Sequence, residues 1–181
     1  MLTDPQIPLS SISAYRLDLY RLLTLLLADK QIASDPLFCT LGQHHFDHEV
    51  DRLLILIAAM TRRLLDNTGS TIRRSVCGRF WRHYPKQQKT YDLDLHHACS
   101  MIIHASNIVT KSFDYYYHYE DQLSITKKEA YFEDTIIITG EKKQRAEMDV
   151  KAFFHHCIEL SHEITGDDPP CQPTEIPSNT N

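Results

Sequence analysis

Residues 46–65 read FDHEVDRLLILIAAMTRRLL. Within this stretch Phe46, Val50, Leu53, Leu54, Ile57, Ala58, Thr61, Leu64 and Leu65 recur at spacings of three and four. That is the period of a helix with one buried stripe, sustained over about five turns. Asp47, Glu49 and Asp51 place acid in the early turns, and Arg62 and Arg63 place base in the late ones, so both ends suit the helix dipole. Gly69 supplies the stop. The apolar run 53–60 is closely bracketed by Arg52, Arg62 and Arg63. It falls well short of the ~20 residues a membrane span needs, so it reads as a buried core helix.

Working outward, residues 11–29 form an earlier helix whose stripe is Tyr15, Leu19, Leu22, Leu23 and Leu26. Residues 92–109 form a third, with Leu95, Cys99, Ile102 and Ala105 or Ser106 on its apolar face. His97, Ser100 and His104 share a different face of it, at i, i+3 and i+7. Residues 112–119 are aromatic-rich and fit either a strand or an irregular segment. Residues 131–139 are rich in isoleucine, threonine and aromatics, a strand signal. A turn at 140–144 and a return strand at 145–150 complete a hairpin, and a last helix covers 151–164. From Gly166 onward there are four prolines and almost nothing apolar, so 166–181 is expected to be a disordered acidic tail.

The expected fold class is therefore mainly α. It is a helical bundle with an appended C-terminal β-hairpin near 131–150, forming a single domain over 1–165. A chain of 181 residues suits one domain. Residues 1–10 carry no basic leader, and the five cysteines are odd in number without a CxxC pair. A soluble, cytoplasmic protein with no membrane association is the expectation.

The net charge of −5 hides a basic block. Between Arg62 and Lys89 eight basic residues, including Arg73, Arg74, Arg79 and Arg82, stand against Asp66 alone. Residues 70–91 show no clean period and read as a long loop, with room for a short helix. Phe80, Trp81 and Tyr84 are interleaved with its cations. Aromatics that stack bases beside cations that hold phosphates are a common way to grip single-stranded RNA. Equally, the aromatics could anchor the loop to the core and the cations could simply be solvated.

Nine of the eleven histidines cluster as 44, 45 and 48; 96, 97 and 104; and 155, 156 and 162. His44 and His48 lie one helical turn apart, a chelating spacing. No HExxH pattern or nearby cysteine pair supports it, so no metal and no cofactor are expected. Phosphate-binding glycine loops and a GxSxG elbow are absent.

The segment 95–105, LHHACSMIIHA, resembles a helix reading approximately L-R-x-A-C-N-K-I-I-H-A in short uncharacterised bacterial proteins. Two further features match those proteins. Residues 49–62 fit E-x-D-R-x-L-x-x-I-A-x-x-x-R. Residues 139–143, TGEKK, fit a strand–Gly-Glu-(Lys/Arg)–strand turn, followed by D-x-x-x-F at Asp149 to Phe153. The resemblance spans roughly 43–160. More distantly, 95–105 resembles the signature of HEPN domains, which are helical and often dimeric. Their RNA-cleaving members carry R-(polar)-x-x-x-H. That resemblance implies His104 as acid/base, Ser100 at the polar position, RNA attack by its own 2′-hydroxyl, and no metal. Cys99 stands where the arginine is expected, so the transition-state charge must come from elsewhere, with Arg62, Arg63 and the basic loop as candidates. The resemblance implies an RNA-binding or RNA-cleaving homodimer of a bacterial defence or mobile-element type. Arg73, Arg74, Arg79, Trp81 and Arg82 would contact RNA. The rival is a non-catalytic module that binds a protein partner.

Overall fold

The periodic stretch at 46–65 lies inside one long helix, α2 (Cys39–Thr68), and its stripe is the centre of the core. The computed structural model describes the backbone of residues 8–33, 39–86, 89–117 and 127–167, and side-chain surroundings over most of these. Before α2 comes α1 (Leu9–Ala33). After it come β1 (Val76–Trp81), β2 (Tyr91–Asp94), α3 (Leu95–Ile103), β3 (Ala105–Tyr117), β4 (Lys127–Gly140), β5 (Arg145–Asp149) and α4 (Val150–Thr165). The 166–181 tail expectation falls, from residue 168 on, outside the described residues.

The strands form one antiparallel sheet in the order β2-β1-β5-β4-β3. The helical bundle with an appended hairpin is thus overturned: this is a mixed α/β fold. The hairpin at 131–150 exists as β4 and β5, but it forms the middle of a five-stranded sheet. The stretch 70–91 read as a loop supplies two of the five strands. The helix expected to 109 stops at Ile103, and the chain continues as β3.

Each miss has a physical reason. β1 is six residues long and its pairing with β2 slips between Val76 and Arg79, so Cys77 and Phe80 both face the core three positions apart. A bulge of this kind erases the period of two on which strand reading depends. In α3, Asp94 caps the first turn by accepting from the His97 amide at 2.7 Å. At the other end the helix gives way just before Ile108, Val109 and Thr110, β-branched residues that favour a strand.

Ile136 and Ile138 of β4, Ala146 and Met148 of β5, and Cys77 and Phe80 of β1 point to the helix-covered face. Their neighbours Ile137, Glu147, Arg145 and Arg79 take the other. α1, α3 and α4 touch the sheet, and α2 packs across all three. The buried Tyr15 hydroxyl joins α1 to α2 through Thr61 Oγ1 at 2.8 Å. Fully burying leucines such as Leu53, Leu54, Leu64 and Leu65 contributes on the order of 2 kcal/mol each. Among the described residues no helix is long and apolar enough to cross a membrane.

Candidate functional site

α3 is a short helix with two chemically different sides. Leu95, Ala98, Cys99, Met101 and Ile102 are buried. His97, Ser100 and His104 fall on one open face, as their spacing requires. With Met101, Gly140, Glu141 and Gln144 they line a surface pocket of about 300 Å³ between α3 and the β4–β5 turn.

Cys99 is wholly buried, and burial pushes its thiol well above the usual range, so it is a neutral core residue. A cation meets the next residue. Arg62 of α2 donates from Nη1 to Ser100 Oγ at 2.6 Å. Ser100 in turn donates to the His96 carbonyl at 3.0 Å. Its proton is therefore committed to the backbone and its oxygen receives the guanidinium. In this geometry Ser100, which lines the pocket, also holds the Arg62 side chain.

Behind this contact lies a polar network. Arg73 donates from Nη2 to His96 Nε2 at 2.7 Å. The same His96 nitrogen lies 3.4 Å from Asp66 Oδ1, so guanidinium and carboxylate meet at one ring atom. Asp66 faces Arg73 at 3.4 Å and Arg62 at 3.8 Å. Asp66, the lone acid of the basic block, thus neutralises and orients two of its arginines.

His97 packs its ring on Phe80, with centroids 4.4 Å apart. Burial lowers its pKa from the ordinary 6.5, and the nearby Arg82 pushes the same way against Asp94. His97 is therefore a neutral imidazole at neutral pH. His104 terminates the helix, its amide bonded to the Ser100 carbonyl at 3.2 Å, and its side chain is exposed.

The expected RNA-contacting residues divide. Arg73 is engaged with His96 and Asp66, and Arg74 is exposed. Arg82 lies with its guanidinium 5.2 Å over the Tyr91 ring, with Lys89 on the same ring. Tyr91 meets Phe80, which meets His97, so Arg82 belongs to the pocket side. Arg79 and Trp81 pair across from Glu147 and Arg145 on the sheet face turned away from the helices. The structure does not bring those two to the pocket.

Gln144 of the lining had no signal in the sequence; only folding brings it to α3. The three separated segments 49–62, 95–105 and 139–143 do converge here, through Arg62, through Ser100 with His104, and through Gly140 with Glu141. Compared with known proteins, the chain matches no family model, no curated protein and no solved structure, so the site is read from its own geometry.

Proposed function

We propose that this pocket is a metal-independent RNA-cleaving site, with the activity of the HEPN ribonucleases on a fold other than an all-helical bundle. The contact of Arg62 with Ser100 carries the reading, because it sets beside a lining residue of the pocket the cation that Cys99 does not supply. Cleavage by the neighbouring 2′-hydroxyl needs a base for its proton, a cation for the charge growing on phosphorus, and an acid for the departing 5′-oxygen. Neutral His97 suits the base. His104 is assigned the acid, and Arg62 the cation. The two histidines stand two turns apart, on the order of 10 Å along the helix, so a phosphodiester would lie between them. Arg82, Lys89 and Tyr91 would hold an unpaired base and its phosphate. Glu141 in the lining counts against tight phosphate binding. A bacterial defence or mobile-element protein working in a reducing cytoplasm fits this reading, and the buried thiols of Cys77, Cys99 and Cys157 are free.

Binding to a short single-stranded RNA should weaken linearly in logarithmic terms as salt rises. Arg82→Ala is expected to reduce that slope by about one, as one lost phosphate contact does. Arg79→Ala should leave it unchanged. Arg62→Ala should cut the cleavage rate by roughly 100-fold, the order seen for a lost transition-state donor, with Arg62→Lys restoring part. Absence of RNA binding even at low salt would remove the proposal.

A second reading is favoured by α1. Tyr20 and Leu27 are 67% and 69% exposed. Leu19, Tyr20 and Leu23 line an apolar groove of about 250 Å³ with Phe154 and Ile158 of α4. A homodimer, or a protein partner seated there, would cover this face. A chain inert toward RNA that dimerises through α1 would make that its role instead.

A further inference from the structure

We propose that His155, His156 and Glu159 of α4 form a binding site for a divalent transition-metal ion of the zinc class, separate from the α3 pocket. One ligand atom from each residue can be chosen so that all lie within 4.8 Å of one another. His156 Nδ1 is 3.1 Å from Glu159 Oε2, and His155 Nδ1 is 3.5 Å from Glu159 Oε1. Adjacent histidines on a helix diverge by about 100°, but a carboxylate one turn later lies at i+3 from one and i+4 from the other. Glu159 therefore faces both rings, one through each carboxylate oxygen. The two imidazoles meet edge to face, with centroids 5.8 Å apart.

The distances have the right size. Zinc bonds of about 2.0–2.2 Å to nitrogen and oxygen set tetrahedral ligands about 3.3 Å apart. The two nitrogen–oxygen separations bracket that value. Three protein ligands leave the fourth position to water.

A second observation concerns the tautomer of His156. Its Nε2 lies 3.3 Å from the carbonyl oxygen of Val76, at the start of β1. With a proton on Nε2 directed at that carbonyl, Nδ1 is the nitrogen left toward Glu159 to hold an ion. An imidazole that donates its far nitrogen to a backbone carbonyl is the usual arrangement of a metal-ligating histidine. His156 is largely covered, and the flanking Phe154, Cys157 and Leu160 are buried, so the ligands stand on a fixed helix. An ion here would tie α4 to the edge of β1 through Val76, a structural role that leaves the proposed RNA chemistry independent of metal.

The test is calorimetric titration of the EDTA-stripped and dialysed chain with zinc chloride, supported by thermal melts. One ion per chain should bind and raise the melting temperature, because an ion that binds only the folded state stabilises it. His156→Ala and Glu159→Gln should each weaken binding at least ~10-fold. His48→Ala, on α2, should not. His155 is mostly exposed, so His155→Ala keeps the test valid if His156→Ala fails to fold. Absence of stoichiometric binding, or binding unaffected by His155→Ala and Glu159→Gln, would overturn the site. The latter outcome would leave the pair of His156 and Glu159 as a proton-mediated ion pair. No RNA is used, so the result is independent of the α3 pocket.

Discussion

His104→Ala is expected to slow RNA cleavage by about 100-fold or more while leaving RNA affinity and melting temperature nearly unchanged. A general acid or base acts in the transition state and contributes little to ground-state binding, so its loss falls on the rate. The side chain is exposed at the end of α3, so its removal opens no cavity. The pH profile separates its role from that of His97. Burial holds His97 below its ordinary 6.5, so the neutral, base-competent form survives to lower pH. The acid limb of the rate should accordingly lie below pH 6.5, and His97→Gln should remove it. Cleavage should persist in EDTA. A rate unchanged in His104→Ala would exclude His104 as acid or base.

The largest stability effect is expected at Gly78→Ala. Gly78 pairs with Met148 on the core side of the β1–β5 ladder. A Cβ there would meet the Glu147 carbonyl oxygen at 2.2 Å and Met148 Cα at 3.0 Å. Both are backbone atoms of the central strand and cannot swing aside, so β1 must move away from β5. A cost on the order of 3 kcal/mol is expected, read as a fall in urea midpoint with unchanged m-value. Gly69→Ala is the control. It meets nothing within 4 Å, and only its φ of +62° resists, a cost on the order of 1 kcal/mol. Equal effects at the two positions would contradict the β1–β5 pairing.

What could be read from the sequence follows from how much of each element's pattern is local. α2 and α4 carry uninterrupted helical stripes and were legible, as was the hairpin of β4 and β5, with Gly140 at its turn. Ile158 of α4 and Leu23 of α1 fit their helices' stripes yet are exposed, because stripe position does not say whether a neighbour covers it. β1 and β2 were not legible: one is bulged and held by the distant β5, and the other is four residues long. At the site, the shared face of His97, Ser100 and His104 followed from spacing alone. Which arginine meets Ser100 did not, because α2 and α3 meet only in three dimensions. The separation of Arg79 and Arg82 follows because Arg79 lies within β1 and Arg82 just past its end, which a loop reading of 70–91 conceals.

The most direct measurement uses a DNA oligonucleotide carrying a single ribonucleotide, incubated with the wild-type chain in EDTA. Cleavage by the neighbouring hydroxyl is possible at that one linkage only. A single cut on its 3′ side, leaving a 2′,3′-cyclic phosphate and a 5′-hydroxyl, is the result expected of the His97, His104 and Arg62 site. An intact oligonucleotide, paired with an intact all-RNA control, or cuts at deoxyribonucleotides would contradict it.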